Sequence, residues 1–257
     1  MGFLSEVVER VRSDLVRAPL DESALMARAM YRPPARAFEE ALRRAEAPAI
    51  VAEIKRASPS AGPIAETEPA DRARAYEAGG AAALSVLTEP RHFDGSLADL
   101  RAARSATSLP VLRKDFLVHP VQLIEARAEG ADAVLLIAAA LSDAELKAML
   151  AAAGDLGLGV VLETHAERDL ERALASEARV IGVNARDLET LEVDLERALA
   201  LARRLPSDRL ALLESGISTR EHVERALEAG ARAVLVGEAL MRSADPAGAI
   251  RELRGQA

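Results

Sequence analysis

Ile50-Val51-Ala52-Glu53-Ile54-Lys55-Arg56-Ala57-Ser58-Pro59-Ser60 runs from a buried-looking apolar segment into two opposite charges and then into a turn. Residues two apart on a strand share a face, so Glu53 and Lys55 are expected to project together while Ile54 packs on the other side. A carboxylate and an ammonium at the end of an apolar strand are costly unless they are paired or used. Taken alone, the segment favours a structural ion pair, the more common fate of such a couple. The rest of the chain changes that balance, because it repeats the same plan.

From Pro48 onward, short runs rich in Val, Leu and Ile alternate with amphipathic stretches. Strands are expected near 48–54, 82–87, 110–116, 133–138, 159–164, 180–185, 210–215 and 233–237, each with little apolar/polar alternation, as in parallel strands covered on both faces. Eight such units in roughly 210 residues match the size of a (β/α)8 TIM barrel. Gly79, Gly130 and Gly230 each fall just past a helical stretch and before a strand, the place of a helix C-cap. The alternative α/β fold, a doubly wound sheet, is disfavoured because no Gly-x-Gly-x-x-Gly follows the first strand. Upstream, residues 1–47 carry helical periodicity through Phe3, Leu4, Val7, Val8, Val11 and Leu15, interrupted at Pro19 and Pro33-Pro34 and resumed over Ala35–Ala45. The chain therefore reads as a helical extension, 1–47, packing on a barrel, 48–257.

Composition narrows the function. A net charge of -8 with interleaved signs argues against nucleic-acid or membrane-surface partners. There is no cysteine, hence no thiolate metal site or thiol nucleophile. The opening Met1-Gly2-Phe3-Leu4-Ser5-Glu6 lacks the order of a signal peptide and no apolar run is long enough to span a bilayer, so a cytoplasmic protein is expected, a monomer or weak homo-oligomer. Of 33 basic residues only Lys55, Lys114 and Lys147 are lysine, and Asn184 is the sole asparagine. That bias suits a heat-adapted source. It also marks the surviving lysines as positions that need an ammonium able to give up a proton.

In a (β/α)8 barrel the reacting groups belong at the C-terminal strand ends. Here those ends carry Glu53 and Lys55, Lys114, Glu163, Asn184 and Arg186, Glu214 and Ser215, and Gly237. Each has an ordinary explanation: Glu163 capping a helix, Asn184 in a turn, Arg186 in a solvated ion pair. Together, with two of the three lysines and the only asparagine, they point to a site. Glu214-Ser215-Gly216-Ile217-Ser218 and Val236-Gly237-Glu238-Ala239-Leu240 occupy the loops after strands seven and eight, where barrels present backbone N–H groups to phosphate, and Ser58 adds a hydroxyl. His92, His119, His165 and His222 show no metal-ligand pairing, so no metal is expected.

The segments Val51–Ser60, Leu84–Glu89, Phe93–Ser96, Leu112–Phe116, Ile181–Leu188 and Glu214–Ile217 resemble, in order, the motifs of the indole-3-glycerol-phosphate synthase family. Ala61 and Ala185 depart from it, standing where the family often has a basic residue and a second asparagine. The resemblance implies a carboxy-lyase of tryptophan biosynthesis acting without a cofactor. Its small phosphosugar substrate, 1-(2-carboxyphenylamino)-1-deoxyribulose 5-phosphate, would close to indole-3-glycerol phosphate with loss of CO2 and water. It further implies Lys114 as general acid on the ketone, Glu163 as the group handling the proton removed in dehydration, and Lys55 as holder of the anthranilate carboxylate or sharer of the acid role. Glu53, Asn184, Glu214 and Ser215 would position the substrate and Arg186 tune nearby charge. Ser58, Gly216, Gly237 and Glu238 (through its backbone N–H) would bind phosphate, and Pro59, Phe93, Phe116 and Leu188 the aryl ring. Other phosphosugar barrels, a Schiff-base aldolase on Lys114 or an isomerase or epimerase, are the competing enzymes. A non-catalytic phosphosugar-binding subunit would need the glycines but not two lysines and two glutamates together.

Overall fold

Runs of Val, Leu and Ile without alternation suit strands buried on both faces. A computed structural model describes residues 2–256. In it β1 Ala49–Ile54, β2 Ala83–Leu87, β3 Val111–Lys114, β4 Ala133–Ile137, β5 Gly159–Thr164, β6 Val180–Asn184, β7 Leu210–Glu214 and β8 Ala233–Val236 each fall inside the segment expected for them. All neighbouring pairs are parallel, and β1 closes the ring on β8 with Ala49 opposite Ala233 and Ala52 opposite Val236. The (β/α)8 reading is borne out, and ring closure excludes the open doubly wound sheet.

Three helices precede the barrel: α1 Phe3–Arg17, α2 Glu22–Met30 and α3 Phe38–Arg44. One helix then follows each of the first seven strands: α4 Pro69–Ala78, α5 Leu97–Ala106, α6 Pro120–Glu129, α7 Asp143–Asp155, α8 Glu167–Leu174, α9 Leu195–Ala202 and α10 Arg220–Glu228. After β8 come the short α11 Glu238–Arg242 and then α12 Pro246–Arg254. Local chemistry sets the helix boundaries. Ser142 and Glu145 form a reciprocal capping box at the start of α7, and Gly80, Gly130 and Gly230 take left-handed φ of 86°, 93° and 88° at helix ends. In the first of these units the left-handed residue is Gly80; Gly79, expected in that place, has φ -76°.

Period-two alternation separates two cores. Outward residues such as Ile50, Ala52, Leu84, Val134, Leu162, Ile181 and Leu213 pack against the helices. Inward residues, among them Val51, Leu112, Leu135, Val161, Leu212 and Leu235, fill the lumen. The extension closes both ends of that lumen. Phe38 and Leu42 of α3 enter at the N-terminal end, where Phe38 stands against Gly159 and Ala133 at strand starts. Leu4 and Val7 of α1 join the same cluster at the opposite end, beside Phe116 and Ile137. Between them α2 lies on α6, with Leu25 and Ala29 against Val121, Ile124 and Ala128, and Arg28 is 2.5 Å from Glu129.

Candidate active site

At the C-terminal end of the lumen, one layer of the core departs from the branched apolar residues usual in such barrels. The odd-numbered strands supply it: Glu53 from β1, Lys114 from β3, Glu163 from β5 and Glu214 from β7. Lys114 Nζ lies 2.5 Å from Glu214 Oε2, 3.7 Å from Glu163 Oε2 and 3.8 Å from Glu53 Oε2. The other oxygen of Glu53 is 2.8 Å from Lys55 Nζ, so the pair expected from strand parity forms. Ser85 Oγ donates to Glu53 Oε2 at 3.4 Å. All three carboxylates are buried, Glu214 with no exposure at all.

Three carboxylates and two ammoniums cannot all be charged in a buried layer without an excess negative charge, and the protonation energetics reflect it. For Glu53, burial alone would raise the pKa. The charges of Lys55 and Lys114, with hydrogen bonds from Lys55 and Ser85, outweigh it and hold the carboxyl below its ordinary range. For Lys114, burial would lower the pKa, but Glu214, Glu53 and Glu163 overcome it and push the ammonium upward. Glu214 shifts in the opposite sense to Glu53. Burial raises it, Lys114 opposes, and Glu163 and Glu53 add to the rise, leaving its carboxyl pushed up to about 7. The two shifts are compatible because one ammonium is shared among three acids: Lys114 gains from each, whereas Glu214 has only a share of Lys114 and an Oε1 with no hydrogen-bond partner.

Above this layer opens a cavity of about 400 Å³, within the range of small-molecule sites. Every residue named from sequence lines it except Glu214, which lies behind Lys114. One wall is aromatic: Phe93 and Phe116 stand 6.4 Å apart between ring centroids, with Leu188 and Pro59 beside them. The opposite corner is built from two loops. After β7, Ser215 and Gly216 both take left-handed backbone, φ 65° and 74°, an arrangement that costs a serine about 1 kcal/mol. After β8, a Cβ on Gly237 would lie 2.5 Å from Glu53 Oε1 and 2.9 Å from Lys55 Nζ, so any side chain there would have to push that ion pair aside.

Several residues do double work. Asn184 Oδ1 accepts the Arg186 N–H at 2.9 Å, a turn within the site. Among the described residues Arg186 meets no carboxylate; its Nη1 donates to the Leu191 carbonyl at 2.8 Å. Ser58 Oγ accepts the Ala61 N–H at 3.2 Å and so shapes its own loop. The Glu238 side chain turns to Arg242 at 3.0 Å, leaving its backbone to face the corner. Arg56, beside the lysine in sequence, is structural: it grips Asp99 with two nitrogens at 2.7 and 2.8 Å. His165 faces Asp187 at 3.2 Å and lies outside the cavity lining.

Among the lining residues that sequence reasoning did not name as site residues are an aromatic ring and a cation, Phe3 and Arg242. Phe3, on α1, packs its ring 6.1 Å from Phe116 and 4.9 Å from His92. Its helical periodicity marked it as buried without saying against what. Arg242, at the end of α11, adds a cation beside the glycine corner, and nothing in its local pattern separates it from the other arginines. Also unforeseen is the support under Lys114. Arg113, pointing outward, donates Nε to Thr88 Oγ1 at 3.2 Å, Nη2 to Asp115 Oδ2 at 3.0 Å and Nη1 to Glu125 Oε2 at 2.9 Å, fixing the Lys114-Asp115-Phe116 turn from behind.

A family model described as indole-3-glycerol phosphate synthase matches residues 4–253. A relative of that name from Micrococcus luteus is 49% identical over 261 residues, covering 99% of this chain and 97% of its own length. Another from Mycobacterium ulcerans is 48% identical, covering 97% and 93%. Among solved structures, 3-hexulose-6-phosphate synthase is similar at a TM-score of 0.63 with 21% identity, over 81% of this chain and 99% of that one. A mutant tryptophan synthase α-subunit from Pyrococcus furiosus is similar at 0.61 with 18% identity, over 80% and 98%. At those identities the two structures speak only to the barrel. With a family match running from α1 through the last helix and relatives near half identical along almost the whole length, the chain belongs to the indole-3-glycerol phosphate synthase family.

Proposed function

We propose that this enzyme of tryptophan biosynthesis is a carboxy-lyase that closes 1-(2-carboxyphenylamino)-1-deoxyribulose 5-phosphate to indole-3-glycerol phosphate, releasing one CO2 and one water. The observation that carries the reading is the Glu53, Lys114 and Glu163 floor, with Glu214 behind Lys114, of a cavity with an aromatic wall at one side and a glycine corner at the other. The aryl ring sits among Phe93, Phe116, Leu188 and Pro59. The phosphate sits at Ser58, Gly216, Gly237 and the Glu238 N–H, where Arg242 adds charge. That orientation stretches the ribulose chain across the lysines.

Bond formation between the carboxylate-bearing ring carbon and the ketone carbon moves an electron pair onto the ketone oxygen. Lys114, held charged by its three neighbours, stabilises that oxygen and gives it a proton. Glu214, which holds a proton up to about pH 7, is placed at 2.5 Å to restore one to Lys114. Lys55, paired with Glu53, holds the substrate carboxylate until CO2 leaves and its bonding electrons return to the ring. In the dehydration Glu163 takes the proton from the carbon next to the one bearing the hydroxyl, and the hydroxyl accepts a proton from the recharged Lys114 as it departs as water. Asn184, Ser215 and Arg186 orient the polar chain. A Schiff-base role for Lys114 fits poorly, because an ammonium whose pKa is raised is a weak nucleophile.

The same reading treats 1–47 as an extension on a barrel domain, 48–257, and the protein as cytoplasmic, monomeric or weakly self-associating, and heat-adapted, in keeping with its arginine bias. The test uses the absence of tryptophan. On mixing protein with the anilino-ribulose phosphate, indole fluorescence should grow with one CO2 released per turnover. Sugar-phosphate turnover without an indole chromophore would refute the assignment.

A further inference from the structure

β6 carries a glycine between neighbours that carry the site. Gly182 pairs opposite Glu163 on β5 and Leu212 on β7 and is buried. It is not among the glycines with positive φ, so a special backbone conformation is not why it is there. A glycine inside a strand forfeits packing and weakens it, and it commonly marks close approach by another group. The approaching group is Glu214. A Cβ built on Gly182 would lie 2.3 Å from Glu214 Oε1, against 3.1 Å from Val161 Cγ1 and 3.4 Å from the Glu163 Cα. Only the first distance forces a neighbour to move outright, and the atom that must move is the end of the Glu214 side chain; Val161 would have to give by a few tenths of an ångström. Oε1 is also the buried oxygen without a hydrogen-bond partner, while Oε2 of the same carboxylate is 2.5 Å from Lys114 Nζ. The volume an ordinary side chain would fill on β6 is therefore occupied by half of the carboxylate that anchors Lys114.

We infer that Gly182 is a positioning residue: its missing side chain is the seat of the Glu214 carboxylate, and through Glu214 it fixes where the Lys114 ammonium stands under the substrate. The inference rests on the roles given above to Glu214 and Lys114, and extends them to a residue that does not line the cavity. An added methyl would drive the carboxylate off Lys114 or toward Glu163, whose charge already opposes it. Either movement disturbs the ammonium without altering the aromatic wall or the glycine corner.

The experiment compares wild type, Gly182→Ala, Glu214→Ala and the double variant, each by kcat and KM for the anilino-ribulose phosphate and by thermal melting. Gly182→Ala should lower kcat by about 10²-fold, the cost of a reacting group misplaced by about 1 Å, while KM stays within about threefold. With the carboxylate already removed, the same alanine should cost no more than about twofold in kcat. Equal losses in both backgrounds would overturn the inference and leave Gly182 a packing residue against Val161. If Gly182→Ala fails to fold, the double variant decides. Recovery to the melting temperature of Glu214→Ala places the conflict at the carboxylate and supports the inference; failure of both places it in the strand and refutes it. Wild-type turnover in Glu214→Ala would refute the role of Glu214 itself. A loss there, with Gly182→Ala unaffected, would refute only the inference about Gly182.

Discussion

Lys114 combines charge and a transferable proton, and two substitutions separate them. Lys114→Arg keeps a cation that holds its proton too tightly to act as an acid near neutral pH, and Lys114→Met removes both properties. If proton donation is required, both variants should bind a non-reactive reduced substrate analogue within about tenfold of wild type while kcat falls by roughly 10²–10⁴. Turnover retained by the arginine variant alone would limit Lys114 to electrostatics. Glu214 makes a separate statement about stability. Its folded pKa, about 7, lies above the ordinary 4.5, so between those values the folded protein keeps a proton that the unfolded chain has released. Its contribution to stability therefore falls as pH rises through that window and levels off above it. Urea unfolding should show Glu214→Gln gaining on wild type by about 3 kcal/mol between pH 5 and pH 8, since each tenfold difference in proton affinity between the folded and unfolded chain is worth about 1.4 kcal/mol. A constant difference would mean that Glu214 ionises normally. The residues legible in the sequence were those whose chemistry is anomalous for a strand end: Glu53, Lys55, Lys114, Glu163 and Glu214 are charges where apolar residues belong. Gly182 left the signal of a glycine within a strand, but the side chain filling its space comes from the neighbouring β7, and only the register of that pair, with Gly182 opposite Leu212, sets the two against each other.

Among the elements, strands were read almost to their ends because parallel strands covered on both faces have a composition that solvent-facing segments lack. The extension was read as helical and broken at its prolines, yet which end of the barrel each helix covers was not. Amphipathic periodicity says that a face is buried and is silent about its partner. The structure puts α3 and α1 at opposite ends of one lumen, which predicts opposite phenotypes for their phenylalanines. Phe38→Ala should cost about 3–5 kcal/mol of stability and leave KM unchanged, since the ring plugs the end remote from the site. Phe3→Ala should raise KM severalfold, with a smaller loss of stability, because its ring completes the aromatic wall. Melting curves and KM values for the two proteins check the split; KM loss in Phe38→Ala would break it.

For the whole molecule, order along the chain and order in space coincide around the barrel, which is why repeated strand-loop-helix units sufficed to read the fold. They part company where chain distant in sequence meets, and one such meeting joins the beginning of the chain to the loop after β6. Gly2 gives α1 no side-chain cap. Instead the N–H of Phe3 donates to the Glu189 carbonyl at 3.3 Å and that of Leu4 to the Leu188 carbonyl at 3.0 Å. The first turn of α1 thus borrows its acceptors from the segment that carries Arg186 and Leu188 into the cavity. Those two amides are consequently a built-in isotope clock for a loop far along the chain. Deuterium uptake at Phe3 and Leu4 can proceed only when the loop carbonyls withdraw, so a bound substrate analogue should slow both by the same factor that it slows the amides of residues 186–191. Slowing confined to the loop would show that the two ends open independently.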